Sequence, residues 1–335
     1  MPEYKGVLVF CETLVGNLSP ISAEMLGAGR KLADDAGYDL SAVLIGSGVT
    51  VGAQEAIDYG ANKVYVVDDP LLEYYLTDSY LAVMENIIKQ TSPSVVLLGQ
   101  NEIGQDLTPR LAFRFNTVAT LDCVALAIDP ATKRLLQTKP VYGGNALVIQ
   151  FCEADPQIVT VRNKAMFALP KDNSRRGEVI KVPAGLDPAS VRTKILDRKI
   201  DVSAGTKLEE ARVIISGGRG IGSTEGFKQL EELARILNGA VGASRPPCDN
   251  KWVSDNLQIG LTGKIVSPDL YIGVALSGSS QHISGCSGSS VIVAINKDAE
   301  ANIFKVAHYG IIADWKIVLP AFTAKVRELT GKSLV

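Results

Sequence analysis

Long apolar runs and a strong net charge are both absent from this sequence of 335 residues. No run of about 18 apolar residues occurs, so no membrane-spanning helix is predicted. The 34 Lys and Arg residues nearly balance the 36 Asp and Glu residues, which leaves a formal net charge of -2. Such a balance provides no basic surface for nucleic acid or for an anionic membrane. We therefore expect neither nucleic acid nor a membrane as a partner.

Cysteine and histidine are scarce, with five and two residues respectively. The cysteines are odd in number and form no CxxC pair, so neither a disulfide framework nor a zinc site is predicted, and a reducing cytoplasm is favoured. HExxH and GxSxG motifs are absent as well, which leaves no pattern for a metalloprotease or a serine hydrolase. The start of the chain, residues 1–12, is interpreted as a first β-strand and not as a signal peptide.

The first half of the sequence alternates short apolar runs with helical patterns. We predict strands at residues 6–12, 40–46, 63–69 and 94–100, and helices at 22–37, 51–60, 77–90 and 106–115, the last with a proline early in it. Continuous apolar strands separated by helices predict a parallel sheet that is covered on both faces.

The pattern changes at Val118, where the chain becomes rich in strand-forming residues with few helix signals. These residues are predicted to add antiparallel strands to the first sheet. Residues 169–207 are rich in Lys, Arg, Pro and Gly and form the best candidate for a linker. The length of the chain fits two domains, and we expect α/β domains at residues 1–205 and 206–335.

The second half is a tighter alternation of the same two elements. Strands are predicted at 211–216, 240–244, 270–276, 290–296 and 310–315, with helices at 224–239, capped by Thr224, at 301–310 and at 319–331. This pattern predicts an open, mostly parallel sheet of about five strands. His308 falls within the second helix, and we assign it a structural role.

Polar and glycine-rich segments follow each of these five strands. In parallel sheets, ligands bind beyond the carboxyl ends of the strands, so the five segments are expected to converge. The segment SGGRGIGS resembles a phosphate-binding turn, although a tight turn without a ligand remains an alternative. The segments LTGK (261–264) and SGSSQH (277–282) offer many donors and little bulk, which suits a large planar ligand such as a flavin nucleotide. Ordinary Ser/Gly loops remain the alternative.

Arg245 and His282 are the most specific candidates in these segments. A guanidinium can lie flat on a conjugated ring, and a histidine can donate to the electron-rich edge of that ring. Two cationic donors would stabilise negative charge on a reduced flavin. A surface salt bridge for Arg245 and a capping or core position for His282 are the alternatives.

The segments ISGGRG, VGASR, TGKIV, SG..QH and VIVAINKD, in this order from Arg212 onwards, resemble the alpha subunit of electron-transfer flavoproteins. The first half resembles the N-terminal domain of that family more loosely, through YGGNAL and TVR. The resemblance implies an adenine nucleotide hydrolase-like first domain and a Rossmann-like (DHS-like) second domain that binds FAD. It also implies a heterodimer with a beta subunit and, as redox partner, an acyl-CoA or related dehydrogenase of fatty acid β-oxidation.

The resemblance further implies which residues contact FAD. It implies that Arg219, in the GGRG turn, touches the cofactor and that Arg245 lies over the isoalloxazine. It implies that Thr262 reaches the N5 region of the ring and that His282 reaches its C2=O group. The residues implied to contact the adenosine and phosphate part are Asn296, Asp314 and Trp315. In this sequence the matching positions are Arg219, Ser244, Arg245, Ile259, Gly260, Leu261, Thr262, Ser277, Gly278, Ser279, Ser280, Gln281, His282, Asn296, Asp314 and Trp315.

The sequence departs from the family pattern around the predicted ring site. It has SRPPCDNKW where the family usually has SRAAVDAG, and Leu261 where the family usually has glutamine. Simple electron carriage from a dehydrogenase is the favoured function. NADH-dependent electron bifurcation, with a second FAD in the beta subunit, is left open. An oxidoreductase acting on a small substrate and a non-catalytic nucleotide-binding module are two further alternatives.

Overall fold

The computed structural model describes residues 3–14, 16–144, 146–187, 191, 193, 195–197 and 207–331. The chain divides into two compact units: the first contains residues 1–141 and 146–198, and the second contains residues 142–145 and 199–335. The domain boundary predicted at 205/206 lies outside the described residues. The predicted fold class, two mostly parallel sheets with flanking helices, is confirmed.

The first unit contains twelve described strands and four described α-helices. The strands are β1 (Val7–Cys11), β2 (Thr13–Leu14), β3 (Asn17–Leu18), β4 (Leu40–Gly46), β5 (Lys63–Asp68), β6 (Val95–Gly99), β7 (Ala119–Cys123), β8 (Ala125–Ile128), β9 (Leu135–Val141), β10 (Ala146–Gln150), β11 (Gln157–Val161) and β12 (Glu178–Lys181). The helices are α1 (Pro20–Ala36), α2 (Gly52–Asp58), α3 (Thr77–Thr91) and α4 (Glu102–Arg114).

Seven of these strands form one parallel sheet in the order β12-β5-β4-β1-β6-β11-β7. Alternate residues of β1 enter different cores: Val7 and Val9 belong to one cluster, and Leu8 and Phe10 to another. Because side chains alternate across a strand, both faces of the sheet are covered, as the continuous apolar strands predicted.

The residues after Val118 do not add antiparallel strands to the first sheet, contrary to the prediction. β7 and β11 join that sheet in parallel, whereas β8, β9 and β10 form a separate antiparallel sheet in the order β10-β9-β8. Part of the predicted linker also belongs to the fold, because β12 pairs with β5 at the edge of the seven-stranded sheet.

The helix predicted at 106–115 begins earlier, at Glu102. The side chain of Asn101 caps it by accepting the backbone N–H of Gly104 at 2.9 Å, which satisfies one of the free donors of the first turn. Pro109 therefore lies in the interior of α4 and not near its start. The N-cap signal is an asparagine two residues after the end of β6, which the sequence interpretation passed over.

The second unit contains one parallel sheet of five described strands. The strands are β13 (Val213–Gly217), β14 (Ala240–Ala243), β15 (Leu270–Val274), β16 (Val291–Asn296) and β17 (Tyr309–Ile312), and the helices are α5 (Thr224–Ile236), α6 (Arg245–Asp249), α7 (Ser280–Cys286) and α8 (Trp315–Thr330). Their order is β14-β13-β15-β16-β17, and every pair is parallel. All five strands were predicted from the alternation of elements.

Three details of the second unit differ from the predictions. Ser223, and not Thr224, caps α5 by accepting the N–H of Gly226 at 3.2 Å. The predicted helix at 301–310 is only a short 3-10 turn at Asn302–Lys305. His308 therefore lies outside any helix, and its Nδ1 accepts the backbone N–H of Ile292 at 3.0 Å.

The described ranges contain neither a membrane-spanning helix nor a cluster of metal ligands. None of the helices there is long and apolar enough to cross a membrane, and no group of three or more potential ligands there could hold a metal ion. The five cysteines are all buried with free thiols, as is common for cysteines that act as small apolar core residues.

Candidate functional site

The polar segments of the second unit follow strands that all run in the same direction, so they lie at the carboxyl edge of one sheet. β13 has β14 on one side and β15 on the other. The chain passes from β13 to β14 on one side and then crosses to β15 on the other side of β13. Such a change in strand order is a topological switch point, which creates a crevice for ligands. The Gly218 N–H donates to the Val274 carbonyl at 2.9 Å, which brings the loops after β13 and β15 together.

The glycine turn after β13 is packed closely on its inner side. A Cβ atom on Gly218 would lie 2.1 Å from the carbonyl oxygen of Ala275, and one on Gly220 would lie 2.9 Å from the Ala275 Cβ. On the outer side, a Cβ atom on Gly222 would meet no atom within 4 Å. The turn is thus held in place by Ala275 on its inner side and has open space on its outer side. Its backbone N–H groups lie close to the N-terminus of α5, and anions bind at such positions.

Arg219 lies on this turn, and its side chain is exposed. No hydrogen bond or salt bridge joins its guanidinium to another residue in the described ranges. The indole Nε1 of buried Trp315 donates to the Gly220 carbonyl at 3.0 Å. Trp315 therefore supports the turn from below, while Arg219 is left to face a ligand.

Asn296 and Asp314 also support neighbouring loops. The Asn296 amide donates to the Leu276 carbonyl at 2.7 Å and accepts the Asp298 N–H at 3.0 Å. The Asp314 carboxylate accepts the Lys316 N–H at 3.0 Å and so caps α8. The predicted contacts of these residues with the adenosine and phosphate part of FAD remain predictions, and the visible role of each is to fix the backbone of its loop.

Ser244 and Arg245 join β14 to α6. The Ser244 N–H donates to the Gly217 carbonyl at 3.1 Å, which holds the end of β14 beside the glycine turn. Arg245 is 69 % exposed, and its Nε lies 3.3 Å from the carboxylate of Asp249, which is 60 % exposed. An exposed ion pair of this kind is weak, so the guanidinium can leave it for a ligand. Cys248 is buried, and burial raises the pKa of its thiol to about 11.

The segment 259–264 is tied to both neighbouring loops. The Ile259 N–H donates to the Ala243 carbonyl at 2.8 Å, and the Leu261 N–H donates to the Gln281 carbonyl at 2.8 Å. The Thr262 hydroxyl is exposed and accepts the Gln258 amide at 3.0 Å. A hydroxyl that accepts one bond can still donate its own proton, so Thr262 retains a donor for a ligand. The Leu261 side chain is 61 % exposed.

The second residue of the segment 277–282 occupies a position that only glycine fits. Gly278 has φ 75°, and a Cβ atom there would lie 2.2 Å from the backbone nitrogen of Ile303. The side chains of Ser277, Ser279, Ser280 and Gln281 are all exposed. This segment therefore presents hydroxyl and amide groups above a rigid backbone.

His282 is the exception, because its side chain is buried. Its Nδ1 lies 2.9 Å from the Ile259 carbonyl oxygen, and its Nε2 lies 2.7 Å from the Tyr271 hydroxyl. Burial lowers the pKa of His282 to about 4, and the bond to Ile259 opposes this only in part. The imidazole is neutral at pH 7, so the structure does not support the positive charge predicted for His282. Desolvation of the charged ring is the physical reason.

Sequence reasoning missed Tyr271 and Gln258, which hold His282 and Thr262 respectively. A signal for Tyr271 was present, since it is a polar group inside the apolar strand LYIGV. A buried tyrosine hydroxyl needs a hydrogen-bond partner. A histidine side chain can be that partner, and the chain has only two histidines.

The residues at this edge fit a ligand that carries both phosphate and a planar ring. An open turn of backbone N–H groups beside Arg219 suits the phosphates. A second exposed guanidinium at Arg245 can stack on a ring. The hydroxyl of Thr262 can donate to an acceptor atom at the edge of that ring.

Comparison with known proteins agrees with this fit. Residues 7–187 match the family described as "Electron transfer flavoprotein domain". Residues 207–287 match "Electron transfer flavoprotein FAD-binding domain". The chain belongs to the electron transfer flavoprotein alpha-subunit family. The FAD-binding match contains most of the candidate site, from the glycine turn to His282.

The relatives of this flavoprotein subunit match it along nearly their whole length. The "Electron transfer flavoprotein subunit alpha" of Thermoanaerobacterium thermosaccharolyticum is 44% identical over 330 residues, which cover 98% of this chain and 100% of the relative. The subunit of the same description from Megasphaera elsdenii is 43% identical over 334 residues, with 99% of each chain covered. "Protein FixB" of Clostridium saccharobutylicum is 40% identical, with 98% of each chain covered.

Proposed function

We propose that this chain is the FAD-carrying subunit of a heterodimeric, cytoplasmic electron-transfer flavoprotein. It would carry electrons from a dehydrogenase, such as an acyl-CoA dehydrogenase, to a second redox partner. The observation that carries the proposal is the open carboxyl edge of the second sheet, where Arg219, Arg245 and Thr262 are exposed within or beside a rigid backbone. This edge lies in the part of the chain that matches an FAD-binding domain.

Bound FAD would supply the ability to accept one or two electrons. The chain would supply its binding: the Gly218–Gly222 turn and Arg219 would hold the pyrophosphate, and the Arg245 guanidinium would lie against the isoalloxazine ring. The Thr262 hydroxyl would donate to the ring edge. The positive charge of Arg245 would favour electron acceptance, since it lies where negative charge would develop.

The chemistry of the site supports a carrier over an oxidoreductase with a small substrate. Proton transfer to a substrate needs a group that is within reach and has a pKa near the working pH. His282 is buried between two hydrogen-bond partners, and its pKa is lowered to about 4. Electron transfer between proteins needs only proximity and a suitable potential, which the exposed edge can provide.

An exposed apolar strand in the first unit supports the beta subunit as a partner. β10 is an edge strand of the three-stranded sheet. Leu147, Ile149 and the following Phe151 are 63%, 67% and 55% exposed. An apolar edge strand left in water is a template for pairing with another chain. A stable partner subunit would cover it.

The proposal is tested by co-expression with a beta subunit from the same genome, followed by a visible spectrum and a flavin count per heterodimer. One FAD that is reduced by a dehydrogenase supports the simple carrier. Two FAD molecules, with reduction by NADH, would instead indicate a bifurcating complex. A folded heterodimer without flavin would contradict the proposal.

A further inference from the structure

Tyr271 lies beneath the candidate site, in the middle of the second sheet. It is the second residue of β15, and its side chain is fully buried. Its hydroxyl lies 2.7 Å from His282 Nε2, and the two rings are tilted by 55° with centroids 6.2 Å apart. A fully buried phenol requires a partner for its hydroxyl, and the imidazole is that partner.

The two contacts of the imidazole determine where its protons lie. The Ile259 carbonyl oxygen, 2.9 Å from Nδ1, can only accept, so Nδ1 carries the hydrogen. A neutral imidazole has only one N–H group, so Nε2 is an acceptor. The Tyr271 hydroxyl must then donate to Nε2. Each proton in this chain of hydrogen bonds therefore has one position.

We propose that Tyr271 is a positioning residue which, together with the Ile259 carbonyl, fixes His282 as the neutral Nδ1–H tautomer beneath the flavin site. The carbonyl sets the tautomer, and the Tyr271 hydroxyl, which donates to Nε2, fixes the rotation of the ring. The hydrogen-bond assignment stands without a ligand, and its bearing on flavin binding rests on the proposed function.

The groups around the phenol keep this arrangement uncharged. Burial raises the pKa of Tyr271 well above its ordinary value, and burial raises the pKa of the neighbouring Cys286 thiol to about 12. The phenol therefore remains a donor across the physiological range of pH. A protonated His282 would need the hydroxyl hydrogen of Tyr271 to turn away from Nε2, toward Ser216 or Cys286, and the ring would carry its charge in a buried position, which is costly.

The arrangement also connects the floor of the site to two of its loops. Ile259 begins the loop that carries Thr262, and Gln281, next to His282, accepts the Leu261 N–H at 2.8 Å. Rotation of the His282 ring would release the Ile259 carbonyl. The Tyr271 hydroxyl thus stabilises the spacing between the loops that carry Thr262 and Gln281.

The tautomer is measured by NMR on the full chain labelled with ¹⁵N only at histidine, combined with unlabelled beta subunit. The chain contains two histidines, and they serve as each other's control. Nδ1 of His308 accepts the Ile292 N–H, so neutral His308 is the Nε2–H tautomer. We expect protonated Nδ1 and bare Nε2 for His282 at pH 7, and a bare Nδ1 for the neutral form of His308.

The Tyr271→Phe variant removes only the hydroxyl. We expect His282 to keep its Nδ1–H, which still donates to the Ile259 carbonyl, and the Nε2 signal to shift downfield because its hydrogen-bond donor is lost, with His308 unchanged. Tyr309→Phe is the matched control, because the Tyr309 side chain is 68% exposed in β17, and it should change neither pattern.

Two results would overturn the inference. One is an Nε2–H or doubly protonated His282 at pH 7 in the wild type, which decides the matter even if Tyr271→Phe fails to fold. The other is an Nε2 signal of His282 that does not shift in a folded Tyr271→Phe variant. The proposed function fails separately, if the predicted tautomer is found in a chain that binds no flavin.

Discussion

The carboxyl edges of the two parallel sheets differ in how their polar groups are used. At the edge of the first sheet they bind one another: the Arg162 guanidinium donates to both oxygens of Asp122 at 2.8 and 2.6 Å, and Asn101 donates to Glu12 at 2.5 Å. At the edge of the second sheet, Arg219 and Arg245 are exposed. We call the carboxyl edge of the first sheet, whose polar groups bind one another, the closed edge. We call the carboxyl edge of the second sheet, whose two arginines are exposed, the open edge.

This difference indicates what each edge does. Charged groups that neutralise each other at short range stabilise the fold and leave little for a ligand. Charged groups that stay exposed contribute little to stability and remain available to bind a ligand. Substitutions at the first edge should therefore lower the free energy of unfolding without loss of flavin, and substitutions at the second edge should do the reverse.

Gly218→Ala should have the largest effect, because it affects both properties at once. The new Cβ atom would lie 2.1 Å from the Ala275 carbonyl oxygen, so the glycine turn must move away from the loop after β15. We expect a loss of about 3 kcal/mol in the free energy of unfolding, typical of severe overpacking, together with loss of bound flavin. Denaturant unfolding and a flavin count measure the two effects.

Gly222→Ala is the matched control in the same turn. A Cβ atom there meets nothing within 4 Å, and only the φ of 87° opposes it, at a cost of about 1 kcal/mol. Equal losses of stability in the two variants would contradict the steric argument.

Asp122→Asn tests the closed edge. Asparagine tolerates the φ of 64° at this position, but it removes the charge that faces Arg162, whose side chain is only 12% exposed. We expect a loss of about 2 kcal/mol in the free energy of unfolding, as for other hydrogen bonds to charged groups, with full flavin content. Loss of flavin at unchanged stability would reverse the comparison of the edges.

An exposed ion pair provides the control for this variant. Lys325 and Glu328 form a salt bridge at 2.7 Å, with side chains 61% and 67% exposed. Glu328→Gln should change the free energy of unfolding by less than about 0.5 kcal/mol. Denaturant unfolding of both variants under the same conditions gives the comparison.

The two edges also differ in how well the sequence predicts them. The five strands of the second sheet and the loops after them follow from a regular alternation of apolar and polar runs, as with LYIGVAL followed by SGSSQH. β11 could not be placed in this way, because its pairing between β6 and β7 is set by contacts far along the chain. Local patterns do not encode such pairings.

Charge at the site was predictable only where the side chain is exposed. Arg245 keeps its charge in water, as its type implies. The sequence gives no measure of burial for His282, so its neutral state, which is due to desolvation of the ring, follows only from the structure. The same lack of information about burial hid the supporting role of Trp315.

The pH dependence of stability should show this neutral state. The pKa of His282 is about 4 in the folded chain, against about 6.5 in the unfolded chain. Between these values the unfolded chain binds the extra proton, so this contribution is complete above pH 6.5 and is lost as the pH falls toward 4. At pH 5 the expected loss is about 2 kcal/mol.

His282→Gln should remove this part of the pH dependence, because all other titrating groups remain. The measurement is the change in unfolding free energy between pH 7 and pH 5, for the variant and for the wild type. An equal pH dependence in His282→Gln and the wild type would show that His282 does not contribute.

Arg245→Ala should have the smallest effect on the fold and the most selective effect on the ligand. The side chain is 69% exposed and only weakly paired with Asp249, so the free energy of unfolding should change by less than about 0.5 kcal/mol. Loss of a cation over the ring should weaken FAD binding about tenfold, or about 1.4 kcal/mol. Arg245→Lys keeps the charge but not the planar group, so it should restore binding only in part. FAD titration into the flavin-free heterodimer measures the affinities. Wild-type affinity in Arg245→Ala would show that the open edge holds its ligand without this arginine.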